Sequence, residues 1–221
     1  MSASADLHLT PELIIRAYRQ GLFPMADAVD DPETFWVDPQ MRGVMPLEDF
    51  HVPRRLVRTI KRAPFDMRIN TNFRQTIEAC RTASADRPTS WINDDILSAY
   101  CKLHAMGHAH SVECWSEERL VGGLYGVCIA GAFFGESMFS RRRDASKLAL
   151  AHLVDHLRNC GFALFDTQFI TPHLQTLGAI EISRAAYHRL LEEALERPAD
   201  ISAQPLCQDT HSVLQRITQT S

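Results

Sequence analysis

The stretch GAFFGESMFSRRRDASK, residues 131–147, brings apolar surface, one carboxylate and a cationic patch together in a short segment. Two apolar pairs, at 133–134 and 138–139, flank the lone carboxylate of Glu136, and three consecutive arginines follow at Arg141–Arg143. A segment that served packing alone would not need this mixture, so we predict that the stretch belongs to a functional site. The structural alternative is a strand edge followed by a solvated arginine face.

The residues on either side of this stretch predict a sheet and then a helix. The patterns of residues 111–115, 119–129 and 132–136 predict a three-stranded antiparallel meander. Residues 144–160 carry apolar side chains at helical spacing, and a glycine closes this predicted helix. Residues 162–166 then predict a short strand.

Asp166 is the last residue of that strand, and Thr167 and Gln168 follow it. A polar residue at the carboxyl end of a strand that follows a crossover helix commonly faces a cleft. We therefore expect a second part of the functional site here. A further helix is predicted over residues 184–195, and the chain beyond about residue 196 lacks periodicity and predicts a loose tail.

Residues 51–62, HVPRRLVRTIKR, predict a basic helix that carries Arg54, Arg55 and Arg58. The whole chain has a net charge of −4 and a pI near 6.2, so any binding of nucleic acid must rest on a local patch of this kind. The helix can present a solvated face or a contact to a phosphate backbone.

Two tryptophans are candidates for stacking on a nucleotide base. Trp36 stands close in sequence to Asp38 and Arg42, and Trp91 precedes a predicted helix. An aromatic face near a cation suits a base, although Trp36 can equally be a core residue under a loop.

Composition and motifs argue against several classes of protein. The 221 residues are 45% hydrophobic and 23% charged, which is typical of a globular domain. The six cysteines form no CxxC pair, which disfavours a zinc ribbon and fits a reducing compartment. The start MSASADLHLT has no signal-peptide pattern, and no apolar run is long enough for a membrane span. The histidines at 104, 108 and 110 and at 152 and 156 lack a zinc signature, so we expect no metal and no cofactor.

Several separate motifs resemble those of the leucyl/phenylalanyl-tRNA–protein transferases of bacteria. They occur in the order that the family has and cover roughly residues 10–195. In chain order they are Tyr18-Arg19 with Gly21-Leu22-Phe23-Pro24-Met25, Trp36, Gly122-Gly123-Leu124-Tyr125-Gly126-Val127, Phe134-Gly135-Glu136-Ser137-Met138-Phe139-Ser140, Ala145-Ser146-Lys147, Phe165-Asp166-Thr167-Gln168, and His173-Leu174 with Leu177-Gly178-Ala179.

The resemblance implies an enzyme that transfers leucine or phenylalanine from charged tRNA to the N-terminal Arg or Lys of a protein and so marks it for degradation in the cytoplasm. It also implies an α+β fold. A small N-terminal domain, residues 1–52, would precede an N-acetyltransferase-like catalytic domain, residues 53–200, whose mainly antiparallel sheet is flanked by helices. Residues 201–221 would form the loose tail.

The resemblance further implies roles for single residues. Asp166 would orient the amide of Gln168 or the incoming amine, and the carbonyl oxygen of Gln168 would accept a hydrogen bond from that amine. Trp36 and Trp91 would hold the terminal adenosine of the tRNA by stacking. Glu136 would make a polar contact inside the site, with its partner left open, as is the participation of His173.

An apolar donor pocket and a set of tRNA contacts complete the predicted site. The pocket positions are Leu124, Phe133, Met138, Leu153, Leu157 and Phe165, with Ser140 as a further substrate-binding position. The positions for the tRNA backbone are Arg54, Arg55, Arg58, Arg141, Arg142 and Arg143. Leucines at pocket positions where some members have aromatic residues leave the preference between leucine and phenylalanine open.

Three other functions compete with this interpretation. An acyl-CoA-dependent N-acyltransferase would need a glycine-rich pyrophosphate loop before the long helix, and SRRRDASK at residues 140–147 lacks those glycines. A non-catalytic tRNA- or peptide-binding module is disfavoured by the intact pair Asp166 and Gln168. Transfer of another amino acid, such as arginine onto acidic N-termini, would favour a carboxylate in the donor pocket, where apolar residues predominate.

Overall fold

The computed structural model describes residues 9–62, 65–82 and 90–219. Its strands, in chain order, are β1 (Phe23–Met25), β2 (Phe35–Val37), β3 (Met41–Val44), β4 (Asp66–Ile69), β5 (Ala109–Ser116), β6 (Arg119–Ile129), β7 (Ala132–Ser140), β8 (Leu164–Gln168) and β9 (Ile180–Ser183). Its helices are α1 (Pro11–Tyr18), α2 (Arg54–Arg62), α3 (Phe73–Arg81), α4 (Asp94–Ala105), α5 (Ala145–Asn159), α6 (Pro172–Gln175), α7 (Arg184–Leu195) and α8 (Thr210–Thr218).

A seven-stranded sheet in the order β4-β5-β6-β7-β8-β3-β9 organises the larger part of the molecule. All neighbouring strands in it are antiparallel except β7 and β8, which are parallel. The small antiparallel pair β1–β2 lies outside this sheet. The predicted α+β class with a mainly antiparallel sheet is therefore confirmed, whereas the likeness to N-acetyltransferases stays a prediction.

Helix α5 connects the parallel strands β7 and β8 and fills one face of the sheet. It is buried on nearly every side, since all of residues 148–157 are buried, including two histidines and an aspartate. A helix buried all round must be enclosed by other elements, and α5 packs against β5, β6, β7, α2 and α8. The opposite face of the sheet is covered by α1, α3, α4 and α7, whose buried side chains form a second core cluster.

The parallel pairing of β7 and β8 is short, and its end creates the site. Paired residues run only from Ala132 with Leu164 to Phe134 with Asp166. Beyond that point β7 continues along β6, while β8 turns to β3. Glu136 and Gln168, each two residues past the last pair, thus stand on either side of a split in the sheet.

Strand β3 comes early in the chain but lies deep in the large sheet, between β8 and β9. Gly43 pairs with both Gln168 and Glu181, and Val44 pairs with Asp166. The predicted domain boundary between residues 52 and 53 stays a prediction. Met41–Val44, which lies before that boundary, pairs in the large sheet with strands that were predicted to belong to the catalytic domain.

The predicted loose tail is in part a helix that packs on α5. The side chains of Val213, Leu214 and Ile217 in α8 are buried, and they occur at helical spacing within a window too short to be noticed in the sequence. The Arg216 guanidinium also donates to both oxygens of Asp155, at 2.7 and 2.8 Å. Residues 210–218 are therefore a structural element and correct the expectation of a loose tail over 201–221.

Two buried histidines of α5 hold the segment that leads to α8. His156 Nε2 lies 2.7 Å from the carbonyl oxygen of Ile201, and His152 Nδ1 lies 3.1 Å from that of Cys207. Both imidazoles therefore have a structural partner in the backbone.

Candidate active site

A cavity of about 340 Å³ opens where β7 and β8 separate. Six residues predicted for the site line it: Trp91, Leu124, Glu136, Met138, Phe165 and Gln168. Eleven further residues complete the lining: Phe23, Met25, Tyr125, Gly135, Ser137, Leu150, Thr167, Phe169, Thr171, His173 and Leu174. The wall is mainly apolar and aromatic, with a few polar groups, as is usual for small-molecule sites.

Asp166 stands directly behind this cavity and has no exposed surface. Its Oδ1 accepts hydrogen bonds from Arg42 Nε at 3.0 Å and from the backbone N–H of Gln168 at 2.8 Å. Its Oδ2 accepts from Arg42 Nη2 at 2.6 Å and from the Tyr187 hydroxyl at 2.7 Å. With four donors on two oxygens, the carboxylate is saturated and sealed from the cavity.

Arg42 is the counter-charge of Asp166 and is itself completely buried. Its third nitrogen, Nη1, donates to the carbonyl oxygen of Gly21 at 2.8 Å. The guanidinium plane lies between aromatic rings, 4.6 Å from the centroid of Phe23 and 4.3 Å from that of Tyr187. Charge, hydrogen bonds and rings together fix the position of this cation and, through it, of Asp166. Burial and the neighbouring carboxylate also raise the pKa of the Tyr187 hydroxyl, so this group stays a donor.

Gln168 occupies the end of β8 in a left-handed backbone conformation, with φ 55°. The backbone hydrogen bond to Asp166 supports this conformation, which costs free energy in a residue other than glycine. The side-chain Nε2 donates to Glu136 Oε1 at 3.1 Å across the split. Among the described residues none donates to the side-chain amide oxygen of Gln168, Oε1. This acceptor is therefore open to a ligand. Asp166 thus touches the backbone N–H of Gln168, and the prediction that it orients either the Gln168 amide or the incoming amine stays a prediction.

Glu136 faces Gln168 and accepts hydrogen bonds from two tyrosine hydroxyls. The Tyr18 hydroxyl donates to Oε1 at 2.5 Å, and the Tyr100 hydroxyl donates to Oε2 at 3.1 Å. The two hydroxyls also lie 2.5 Å from each other. Burial, which outweighs these hydrogen bonds, raises the pKa of Glu136 to about 8.

Three predicted pocket residues lie in the core and not at the cavity. Phe133, Leu153 and Leu157 are not among the residues that line the cavity and belong to the main core cluster. Phe133 packs edge-on against Phe165, with ring centroids 5.2 Å apart, so it supports a cavity residue from behind. An apolar pocket wall and a core have the same sequence pattern, so the sequence could not separate these three residues from Leu124, Met138 and Phe165, which do line the cavity. The part of the three in binding the donor side chain stays a prediction.

Trp36 and Ser140 also lie away from the cavity wall. Trp36 is in β2, opposite Pro24 of β1, and is half-buried against the second core cluster. Ser140 is exposed at the end of β7; its hydroxyl donates to the Arg142 carbonyl oxygen at 2.7 Å and accepts from the Ser146 N–H at 3.3 Å. Ser140 thereby shapes the turn into α5.

Sequence reasoning missed the polar residues that lie behind the cavity. Tyr18, Tyr100, Arg42 and Tyr187 come from four separate elements, and only the fold brings them to Glu136 and Asp166. A weak signal was present for Arg42, because a charged residue inside an apolar strand needs a partner. Tyr18 belongs to one of the family motifs, although no role followed from that, whereas Tyr100 and Tyr187 on their amphipathic helices gave no signal.

The predicted tRNA-contacting arginines are exposed and divide into two groups. Arg55, Arg58 and Arg143 line a second cavity of about 420 Å³, together with Thr59, Arg62 and Asp144. Arg54 lies on the same helix outside this cavity. The guanidinium of Arg141 lies over Phe139 and that of Arg142 over Phe65, at 5.4 and 5.7 Å from the ring centroids. The cations of α2 and of the β7–α5 turn thus face one another around a polar hollow.

Neither a metal cluster nor a membrane helix is found in the parts of the chain that the structure describes. Within residues 9–62, 65–82 and 90–219, no three side chains of the metal-binding types are grouped to hold an ion. In the same ranges no helix combines the length and the apolar character that crossing a membrane requires.

A mainly apolar cavity with a few polar groups at its wall suits a small apolar substrate group. Comparison with known proteins shows the family to which the chain belongs. Residues 44–192 match the family model "Leucyl/phenylalanyl-tRNA protein transferase", and residues 8–40 match that of its N-terminal domain. The chain belongs to this family of aminoacyltransferases.

Full-length relatives agree with the family models. The leucyl/phenylalanyl-tRNA–protein transferase of Cereibacter sphaeroides strain KD131 is 55% identical over 213 residues, which are 96% of this chain and 98% of the relative. Those of Roseobacter denitrificans and Ruegeria pomeroyi are 54% and 53% identical over 215 residues, 97% of this chain and 100% of each relative.

Proposed function

We propose that this protein transfers leucine or phenylalanine from aminoacyl-tRNA to the N-terminal Arg or Lys of acceptor proteins, in the cytoplasm, and thereby creates an N-terminal degradation signal. The observation that carries the proposal is the position of Gln168. Its open carbonyl oxygen stands at the rim of an apolar cavity that fits an uncharged side chain.

The reaction needs positioning more than it needs a strong base. The neutral acceptor amine attacks the ester carbonyl, a C–N bond forms, and the C–O bond to the terminal ribose breaks, so that the ribose oxygen leaves with a proton. An N-terminal amine has a pKa near ~7.7–8.0, so a useful fraction is neutral at pH 7. Holding amine and ester in the right geometry can supply up to ~7–11 kcal/mol.

In this scheme Gln168 contacts the reacting amine and Asp166 acts through it. The Gln168 carbonyl oxygen accepts a hydrogen bond from the incoming amine, while Asp166 holds the backbone of Gln168 in its left-handed conformation. Glu136 fixes the amide of Gln168 from the other side, so that the amide N–H group is occupied and the oxygen faces the cavity. Asp166 is thus a positioning residue.

The remaining parts of the substrate have matching surfaces. Leu124, Met138 and Phe165 offer an apolar wall to the donor side chain, and Trp91 offers a ring to the terminal base. The arginines of α2 and of the β7–α5 turn offer cations to the tRNA backbone. Trp36, which is not at the cavity wall, is proposed to act on the adenosine only through the β1–β2 hairpin that carries Phe23 and Met25.

The test is transfer of radiolabelled leucine or phenylalanine from charged tRNA to peptides that begin with Arg, Lys, Asp or Ala. We expect product on the Arg and Lys peptides alone, with both donors. Product on the Asp peptide would overturn the acceptor specificity, and absence of product with every donor and peptide would overturn the function.

The role of Gln168 is tested in the same assay with Gln168→Ala. Loss of a positioned proton acceptor typically costs ~10²–10⁴-fold in rate. Transfer should fall by about that factor while binding of charged tRNA is retained. Gln175→Ala, an exposed glutamine on α6, is the matched control. Equal rates for the two variants would remove Gln168 from the mechanism.

A further inference from the structure

No described residue of the cavity wall carries a free carboxylate that could bind the cationic side chain of an acceptor. Glu136 is the single carboxylic acid among the described residues that line it. Both of its oxygens are occupied by Tyr18, Tyr100 and Gln168. Among the described residues, the groups next to the cavity are therefore the candidates for binding an arginine or lysine side chain.

Phe169 is an aromatic residue with an unusual position. It follows Gln168 directly, lines the cavity, and is 46% exposed although it is large and apolar. Its ring meets that of Phe23 edge-on, with centroids 5.7 Å apart. An exposed aromatic ring at the rim of a site is a candidate for contact with a ligand.

The backbone of Phe169 is held firmly in place. Its N–H donates to the Thr167 carbonyl oxygen at 2.7 Å, across the left-handed Gln168. It also packs directly on Gly43, where a Cβ atom would lie 2.9 Å from the Phe169 carbonyl carbon. Only glycine at position 43 permits this close approach. The ring is consequently presented from a fixed anchor beside the reacting amide.

Glu181 lies on β9, the strand next to β3, and its side chain points to the face of the sheet on which Phe169 packs over Gly43. It is paired with Gly43 in register, and residues directly opposite in antiparallel strands point to the same side of a sheet. Glu181 thus projects from the face that Phe169 covers, one strand spacing of about 4.8 Å from Gly43. It is exposed, and among the described residues no cation forms an ion pair with it.

We propose that Phe169 and Glu181 form the subsite for the cationic first side chain of the acceptor. An aromatic face and a carboxylate together attract a guanidinium or an ammonium group. With the α-amine at Gln168, the long side chain of Arg or Lys extends past Phe169 toward Glu181. This inference rests on the proposed function and adds the residues that select the acceptor.

The experiment compares acceptor peptides that differ only in the charge of the first residue. Arginine is paired with its neutral isostere citrulline, and lysine with norleucine, at saturating charged tRNA. The variants are Glu181→Gln, Phe169→Leu, which keeps apolar bulk, and Phe169→Trp, which keeps a ring. Glu117→Gln removes an exposed carboxylate from the turn between β5 and β6, which are separated from β9 by at least three other strands, and is the control.

We expect Glu181→Gln and Phe169→Leu each to lower the ratio of kcat/KM for the arginine peptide to that for the citrulline peptide by about two- to fivefold. Phe169→Trp should retain more of the ratio than Phe169→Leu does, and Glu117→Gln should keep both the wild-type ratio and the wild-type KM for charged tRNA. Equal losses on both peptides, or an unchanged ratio in Glu181→Gln and Phe169→Leu, would overturn the subsite.

Binding of the labelled peptides without donor is measured in parallel, which separates the two proposals. If the wild-type protein transfers nothing but prefers the arginine peptide, and Glu181→Gln abolishes that preference, the subsite stands and the proposed reaction fails. If transfer proceeds with a preference that neither variant alters, the reaction stands and the subsite fails.

Discussion

The guanidinium of Arg42 donates to both carboxylate oxygens of Asp166, and neither side chain is more than 1% exposed. This ion pair joins the first strand of the large sheet to the strand that ends in Gln168. A buried pair of this kind fixes geometry, but its desolvation offsets much of the attraction between the charges. We therefore regard it as the device that positions the reacting end of β8.

Asp166→Ala should destabilise the protein by about 3–5 kcal/mol, because it leaves the buried charge of Arg42 without a partner. Transfer should fall as well, since the backbone of Gln168 loses its acceptor. Urea unfolding and the transfer assay measure the two effects. Asp94→Ala removes the partner of Arg81 from a surface ion pair whose carboxylate is 89% exposed, and should change stability far less. Similar unfolding midpoints for the two variants would contradict the prediction.

Glu136 should make stability depend on pH in a defined window. Its pKa is raised from 4.5 to about 8 in the folded state, so between these values the folded protein binds more protons than the unfolded chain. The contribution of Glu136 is therefore fully present below pH 4.5 and is lost as the pH rises through 8. Relative to Glu136→Gln, the free energy of unfolding should fall by at most about 1.4 kcal/mol per pH unit in this window. Urea titrations of both proteins at pH 5.5, 7 and 8.5 test this, and parallel pH profiles would refute it.

The arginine cluster should determine how strongly binding of charged tRNA depends on salt. Each lost phosphate contact lowers the slope of log K against log salt concentration by about 0.7–0.9. Arg55→Ala, Arg58→Ala and Arg143→Ala should each do so, because all three line the polar cavity. Arg189→Ala, an exposed arginine of α7, is the control. Filter binding from 50 to 300 mM salt gives the slopes. An unchanged slope in the variant that combines all three substitutions would exclude this surface as a tRNA-binding site.

His152 should make the attachment of the C-terminal helix sensitive to acid. Burial lowers its pKa from 6.5 to about 4, so its contribution to stability is present above pH 6.5 and is lost as the pH falls toward 4. Hydrogen exchange of residues 201–217, corrected for intrinsic rates, should accelerate between pH 7 and pH 5. His152→Leu should reduce this acceleration, whereas His188→Gln, which alters a more exposed histidine, should not. Equal acceleration in all three proteins would contradict the assignment.

The sequence predicted those elements whose residues alternate or repeat locally. The meander, α5 and β8 were visible because their apolar periodicity does not depend on distant partners. The position of β3 was not predictable in this way, because a four-residue strand carries little pattern. Its neighbours, β8 and β9, come from the other end of the chain.

The candidate site was predictable where chemistry and family motif coincide, at Asp166, Gln168 and Glu136. The arrangement of these residues was not. Asp166 is enclosed by Arg42 and Tyr187, which no local pattern connects to it. Likewise, Leu150 lines the cavity while Leu153 does not, although both are apolar residues of the same helix. Which of these apolar side chains lines the cavity depends on where the pairing of β7 with β8 ends, and that position has no local sequence signal.

The insertion of β3 between β8 and β9 also constrains when the site can form. Arg42 and Asp166 are 124 residues apart in the chain. During synthesis β3 therefore stays unpaired until its neighbours β8 and β9 have left the ribosome. Contacts between residues so distant in sequence slow folding, since the intervening loop must close first. Until β3 has inserted between them, β8 and β9 present open edges that can pair with other chains. The protein should therefore depend on protection from aggregation during synthesis, and its activity should appear only in the last step of folding.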